Sequence, residues 1–396
     1  MKRWPTKPLG EVLEVSRDRI EPAEHPDTQF NYVGLESIEG HTGKLLPYQQ
    51  TPGAQIKSTK NVFHRGEILY GKLRPYLNKV CLASEDGICS TDIYVLRPRQ
   101  WQVQPSFAAN YLRSPAVLAV VSNAMAGANL PRIGQDALLD IPIPVPPLAE
   151  QERIVKLLDE ADKLRKLRAQ ADRRTAALIP ALFHEMFGDP AASKRKWRRE
   201  SFANLLVGID SGWSPTCHDR PAQPDEWGVL KLGAVTTCQY LDTKNKALPE
   251  GSAPRPELEV KVGDLLFTRK NTYDLVAACA YVFETRPKLI LSDLIFRFRL
   301  KPGVELGPIY LWGLLTVPSK RKEVQALAGG SAGSMPNISK GRLLTLLIEV
   351  PPLPLQKEFA QQVAAIRELE IAQATSRQRL EALFQSMLHR AFNGEL

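Results

Sequence analysis

The residues that could do chemistry in this sequence occur only as fragments. Gly66 and Gly71-Lys72 have the spacing of a phosphate-binding loop, G-x-x-x-x-G-K. The next residue is Leu73, where such a loop needs a Ser or Thr hydroxyl for magnesium, so nucleotide binding is not expected there. Glu259-Val260-Lys261, with Pro224-Asp225 upstream, has the look of a nuclease string, but such strings are common and the matching stretch near Val62 carries no acid. There is no Asn/Asp-Pro-Pro-Tyr/Phe string of an amino-methyltransferase. Six histidines give no H-E-x-x-H zinc pattern, and His184 and His389 fall at helix ends, where capping or packing is their expected role. No catalytic residue and no metal ligand is assigned.

Two pairs of polar segments are more informative. Gly71-Lys72-Leu73-Arg74-Pro75-Tyr76-Leu77-Asn78-Lys79 and Thr268-Arg269-Lys270-Asn271-Thr272-Tyr273 each follow a short apolar strand, and each mixes cations, an amide and an aromatic ring. Such a mixture can read DNA: Arg and Lys bond guanine edges, Asn bonds adenine, and Tyr packs on sugar or base. Ordinary surface loops also have this composition, but its recurrence at equivalent places with different residues is what two different half-sites would require. The second pair is Gly127-Ala128-Asn129-Leu130-Pro131-Arg132 and Gly333-Ser334-Met335-Pro336-Asn337-Ile338-Ser339-Lys340, whose small residues allow close backbone approach to a ligand. The candidate DNA-binding residues are Lys72, Arg74, Tyr76, Asn78, Lys79, Asn129 and Arg132, with Arg269, Lys270, Asn271, Tyr273, Ser334, Asn337 and Lys340.

These segments sit at matching places because the chain is written twice. Val145-Pro146-Pro147-Leu148 with Gln151 returns as Val350-Pro351-Pro352-Leu353 with Gln356. Leu130-Pro131-Arg132-Ile133 returns as Met335-Pro336-Asn337-Ile338, and His184 and Phe187 as His389 and Phe392. Upstream the spacing drifts, as insertions would make it. Arg65-Gly66-Glu67-Ile68-Leu69-Tyr70 faces Val262-Gly263-Asp264-Leu265-Leu266-Phe267, Thr91-Asp92-Ile93-Tyr94 faces Ser292-Asp293-Leu294-Ile295, and Trp4 faces Trp197. A period near 200 residues is too long for a solenoid and implies a duplicated domain.

Each copy has two textures. Its first part holds short apolar runs that read as strands, such as Ile68-Leu69-Tyr70 and Leu265-Leu266-Phe267, separated by Gly, Pro, Asn and Asp. Helical stretches are predicted from Pro105 to Val121 and from Pro308 to Leu327, giving an α+β domain. The prolines of Ile141-Pro142-Ile143-Pro144-Val145-Pro146-Pro147 enforce extended backbone. A long helix then covers about 148–187, with Ile154, Leu157, Ala161, Leu164, Ala171, Leu178 and Leu182 at a and d spacing. Arg168, Thr175 and Glu185 interrupt that seam, and Pro180 is expected to kink it. The second helix, about 353–391, offers Phe359, Val363, Ile366, Leu369, Leu380, Leu383 and Met387. A lone helix cannot bury such a stripe. The two helices are expected to bury each other, antiparallel under a two-fold relation; each packing on its own domain is the other reading. The predicted divisions are 1–145, a helix over 146–190, 191–350, and a helix over 351–396.

The charge follows this division. Of the +9 net charge, residues 1–145 hold 16 basic and 14 acidic side chains and residues 191–350 hold 23 and 16, while the helical regions are balanced. Part of the excess is the run Lys194-Arg195-Lys196-Trp197-Arg198-Arg199, a solvated linker or a phosphate grip. Five cysteines without a C-x-x-C pair argue against a disulfide framework and suit a reduced cytoplasmic setting. No apolar run is long enough to span a membrane, and the first residues do not read as a secretory signal.

The chain resembles the specificity subunits of type I restriction-modification systems over its whole length. The resemblance rests on the duplicated order, on Gly66-Glu67-Ile68-Leu69-Tyr70 with Gly263-Asp264-Leu265-Leu266-Phe267, and most specifically on Ile143-Pro144-Val145-Pro146-Pro147-Leu148-Ala149-Glu150-Gln151-Glu152-Arg153-Ile154. The second copy departs from that string, with Pro354 and Leu355 in place of Ala149 and Glu150. The resemblance implies two pseudo-symmetric target-recognition domains, each reading half of a bipartite double-stranded DNA target. It implies antiparallel coiled-coil spacer helices that set the gap and dock two methyltransferase subunits, with endonuclease-translocase subunits added for restriction. It implies no catalysis and no cofactor in this chain, with S-adenosylmethionine, ATP and magnesium on the partners. A non-catalytic protein scaffold with duplicated binding domains is the other class of function the sequence permits.

Overall fold

The computed structural model describes residues 4–48, 50–99, 102–125, 129–192, 197–329 and 335–395. The chain forms two compact units, Met1–Gln170 with Ala374–Leu396, and Ala171–Gln373. Each unit therefore holds one globular domain and a portion of both long helices.

In the first unit, a four-stranded antiparallel sheet has the order Leu13–Val15, Ile93–Pro98, Ile68–Gly71, Val80–Leu82. A second sheet runs Arg19–Ile20, Lys60–Phe63, Gly87–Cys89, Gln29–Val33, Gln50–Pro52, and the pairing of Gln29–Val33 with Gly87–Cys89 is parallel. Thr6–Pro8 and Pro142–Pro144 form a third, two-stranded sheet, so the proline segment is extended as its composition requires. The second unit repeats all three. Leu206–Ser211, Ile295–Leu300, Leu265–Thr268 and Cys279–Tyr281 form the antiparallel four. Asn245–Ala247, Gly228–Leu230 and Leu289–Ile290 form a shorter second sheet, again with one parallel pair, and Arg198–Ser201 pairs with Leu347–Val350.

The strand-opening motif has a local cause. Gly66 and Gly263 lie at φ +86° and +95°, the left-handed region where a side chain is strained. The acid that follows closes the turn: Glu67 accepts from the His64 N–H at 2.8 Å, and Asp264 from the Lys261 N–H at 2.9 Å. The Ile-Leu-Tyr and Leu-Leu-Phe runs that come next are buried on both faces.

The two mid-domain helical stretches are each divided. Pro105–Leu112 is followed by Pro115–Asn123, and Pro308–Thr316 by Pro318–Gln325. Proline pushes its predecessor out of the helical region, and Ser114 and Val317 accordingly sit at ψ 150° and 130°.

The first long helix runs Leu148–Ala176 and resumes as Leu178–Phe187; the second is continuous over Leu353–Phe392, roughly 60 Å at 1.5 Å per residue. The break at Ala177 precedes Pro180 by three residues, where the proline ring and its missing N–H disturb the preceding turn. The seam differs from the sequence-derived stripe. Ile154, Leu158, Ala161 and Thr175 are buried, with Arg165, Arg168 and Asp172 half-buried between them, while Leu164 and Leu178 are exposed at 52% and 43%. In the second helix Phe359, Val363, Gln373, Phe384 and Leu388 are buried, and Leu369 and Leu383 are exposed. Ile154, Ala161, Phe359 and Val363 keep their a/d places, and elsewhere the assignment that follows only apolar residues runs one position out of phase, because the middle of the true seam is polar. Thr175, expected to interrupt the seam, belongs to it and accepts a 2.9 Å hydrogen bond from Gln373.

In the second unit the helix segments run antiparallel: Thr175 meets Gln373, and Phe183 and Phe187 meet Phe359 at ring separations of 5.5 and 5.4 Å. In the first unit Arg165 pairs with Glu381 at 2.7 Å and stacks on Phe384, and Phe392 packs edge-on against Phe107 and Tyr111.

The helix starts are stapled by the glutamine of the proline motif. Gln151 is fully buried, donates to the carbonyls of Gln102 and Pro146 and accepts from the Gln104 N–H. Gln356 does the same with Glu305, Pro351 and Gly307. The motif therefore joins three chain segments in each unit, and the change to Pro354-Leu355 leaves this staple intact.

Candidate nucleic-acid interface

The structure brings the two polar segments of each copy together. In the first unit the Arg74 N–H donates to the Pro131 carbonyl at 2.7 Å and the Ile133 N–H to the Lys72 carbonyl at 3.1 Å. In the second unit the Asn271 N–H donates to the Pro336 carbonyl at 3.4 Å and the Ile338 N–H to the Arg269 carbonyl at 2.8 Å. The bonds are equivalent, so Lys72 corresponds to Arg269, Arg74 to Asn271, and Arg132 to Asn337. One backbone frame carries different side chains.

At the first frame Lys72 Nζ lies 5.2 Å from the centre of the Tyr94 ring, and Arg132 Nε lies 3.4 Å from Asp92. Burial raises the Tyr94 phenol above its usual range, so it stays neutral beside the ammonium. Arg74, Tyr76, Asn129 and Arg132 are exposed. Arg74 takes a left-handed backbone at φ +49°, uncommon for a side chain of this size, because it opens the short 3-10 turn Pro75–Leu77. At the second frame Arg269 lies 5.2 Å from the Phe296 ring centre and Lys340 5.6 Å from it. Arg269 Nε donates to Asn337 at 3.1 Å, which fixes its guanidinium plane. Lys270 and Asn337 are half-buried, Tyr273 is 61% exposed, and Lys340 is exposed. Each frame thus presents cations held over an aromatic ring, with a tyrosine free to pack on a planar partner.

Three candidates are corrected. Asn78 is 6% exposed, and its amide donates to the Arg113 carbonyl at 2.9 Å. Asn271 is 7% exposed, and its side-chain oxygen accepts from the Thr272 N–H at 2.8 Å. Lys79 turns its ammonium to the Leu35 carbonyl at 2.5 Å. These groups satisfy buried or half-buried backbone, so they support the loops and are not displayed to a ligand. Ser334 lies outside the described residues, as do Gly127, Ala128, Gly333 and the run 194–196.

Sequence reasoning missed the ring platforms Tyr94 and Phe296 and the acids Asp92 and Asp293. Their signal was present, since Thr91–Tyr94 and Ser292–Ile295 are matched strings; only strand register shows that Tyr94 and Phe296 are equivalent, opposite Tyr70 and Phe267. Ser214 was also missed. Its hydroxyl bonds Asp293, which brings the Trp213–Pro215 segment beside Arg269.

The chain is similar to known proteins. Residues 1–172 fit the family model described as the type I restriction modification DNA specificity domain. The EcoEI type I restriction enzyme specificity subunit of Escherichia coli is 24% identical over 98% of this chain and 81% of its own length. The EcoDI specificity subunit of the same species is 31% identical over 52% of this chain and 46% of its own. Residues 1–172 therefore carry a type I restriction-modification DNA specificity domain, and the chain as a whole is similar to the specificity subunits of such systems. Solved structures share the fold of this chain. A chain from a study of complex assembly and conformational transition of the type I R-M system superposes with a TM-score of 0.65 at 23% identity, covering 99% of this chain and 98% of that one. The S subunit of a type I restriction-modification system from M. genitalium superposes with a TM-score of 0.54 at 12% identity, covering 98% of this chain and 96% of that one. Among the described residues of the chain, no group of three or more metal-ligating side chains occurs and no helix is long and apolar enough to cross a membrane.

Proposed function

We propose that this chain is the DNA sequence-specificity subunit of a type I restriction-modification complex, and that each globular domain reads one half of a bipartite double-stranded target. The observation that carries the reading is the repeated loop frame. Equivalent main-chain bonds hold Lys72, Arg74 and Arg132 in one unit and Arg269, the inward-turned Asn271 and Asn337 in the other. Equal scaffolds with unequal side chains read unequal half-sites. The cations Lys72, Arg74, Arg132, Arg269, Lys270 and Lys340 are placed to meet phosphates and guanine edges, and Tyr76 and Tyr273 to pack on sugar or base.

The long helices act as spacer and as the docking surface for two methyltransferase subunits. The segment pairing inside each unit supports this reading, as do Leu164, Leu167, Leu369 and Ile371, which face outward from the seam. The catalytic chemistry belongs to the partners: S-adenosylmethionine on the methyltransferase, ATP and magnesium on endonuclease-translocase subunits where these are present. The test is methylome sequencing of a host that carries this chain with its methyltransferase. A split motif with two short specific ends is expected. A continuous motif, or no methylation dependent on this chain, would overturn the proposal.

A further inference from the structure

The two units share a niche between their helix segments and their globular domain, and they treat it differently. In the first unit it is plugged from within. Arg113 follows the helix Pro105–Leu112 and directs its guanidinium to the Thr42 carbonyl at 3.0 Å and to the Asn110 side chain. Gly43 makes room, since a side chain there would collide with the guanidinium. Two small clefts of about 120 and 210 Å³ remain, both bordered by Arg113.

In the second unit the equivalent helix is Pro308–Thr316. The staples fix the register, because Gln151 bonds Gln104 as Gln356 bonds Gly307. Arg113 therefore becomes Thr316, and Asn110 becomes Gly313. With the guanidinium gone, a cavity of about 660 Å³ opens, bordered by both of these residues and lying wholly inside this unit. That volume suits a small organic ligand.

The walls select its charge. Phe183, Tyr240, Phe283 and Trp312 supply aromatic surface, and Asp189, Asp242, Glu284 and Glu370 supply carboxylates. Arg367 neutralises Glu370 at 2.7 Å, which leaves three acids facing the space together with His184. Hydrogen bonds from Ser319 and the Ala191 N–H keep Asp189 ionised. The aromatic wall already accepts one guanidinium, as Arg367 sits 4.9 Å from the Phe283 ring centre.

We infer that this cavity is a binding site for a guanidinium-bearing ligand, which takes the place that Arg113 fills in the first unit. The ligand is a free arginine-like molecule or an arginine side chain of a partner protein. The site does not depend on the DNA-reading proposal; only the second source invokes the methyltransferase.

The test compares L-argininamide with L-citrullinamide, its uncharged counterpart, by thermal shift and calorimetry on the full chain. It uses wild type and Thr316→Arg, which installs the plug of the first unit. For a free ligand, L-argininamide raises the melting temperature saturably, L-citrullinamide does not, and Thr316→Arg weakens the binding at least tenfold. For a partner side chain, L-argininamide gives no shift, and Thr316→Arg weakens assembly with the methyltransferase subunit at least tenfold by sedimentation. Asp242→Asn with Glu284→Gln repeats both arms without added bulk, should Thr316→Arg fail to fold. Equal binding of the two amides, binding undiminished in these variants, or no effect in either arm overturns the inference.

Discussion

Arg74 shows how one residue serves both fold and surface. Its N–H ties the two loops together, its backbone is left-handed, and its side chain is exposed. A left-handed non-glycine residue costs about 1 kcal/mol. Arg74→Gly should therefore hold or raise the melting temperature while weakening DNA binding in gel shifts. If the side chain meets a phosphate, the slope of log K against log salt should also fall by about 0.9. Unchanged affinity at every salt concentration would remove Arg74 from the interface. Asn78→Ala should do the opposite, because it leaves the Arg113 carbonyl without its donor. Stability should drop by about 1–3 kcal/mol, and the methylated sequence should not change. A new specificity in that variant would restore Asn78 as a reader. Both residues lie in one nine-residue string, and composition treats them alike; burial separates them.

At the scale of elements, the staple and the seam matter most. Gln356 is 2% exposed and serves three backbone groups, so Gln356→Leu strands a half-buried N–H and two carbonyls. A loss of about 3 kcal/mol is expected, read as a lower denaturation midpoint; a loss under about 0.5 kcal/mol would show that the staple is dispensable. The seam makes a different point. Its ends are apolar at Ile154, Leu158, Phe359 and Val363, and its middle holds Arg165, Thr175, Glu370 and Gln373. Polar seams fix register at a cost in stability. A helix that keeps its register can serve as a ruler. Deleting matched turns from both helices should change the gap in the methylated motif, and an unchanged gap would end the ruler reading.

The whole molecule is a duplication, visible as two sheets of matching order in each unit, a third that is shorter in the second unit, and equivalent bonds at the loops and staples. Duplication with divergent loops predicts independent reading. Replacing residues 1–145 with those of a similar specificity subunit should change one half of the methylated motif and leave the other half and the gap intact. A change in both halves would mean that the domains do not read separately. The charge also belongs to this scale. The second globular region holds most of the net positive charge, so charge reversals at exposed cations there should lower salt-dependent affinity more than equal changes in the first.

The sequence by itself determined the duplication, the α+β domains, the extended proline segments, the two long helices and the matched polar loops of each copy. These follow from local rules: periodicity, proline geometry, glycine in left-handed turns, and strings repeated in order. The sequence did not determine which face of each helix is the seam. Apolar residues at 164, 178, 369 and 383 satisfied a heptad as well as the true positions did, and only packing partners select the phase. It did not separate Arg74 from Asn78, because display or burial depends on what the loop folds against. It did not show that Thr316 stands where Arg113 stands, since sequences so different in that helix align only through the staples that hold them. Local chemistry is written along the chain, whereas burial, register and the filling of a niche arise from contacts between residues far apart in it. Those contacts the tertiary structure alone decided.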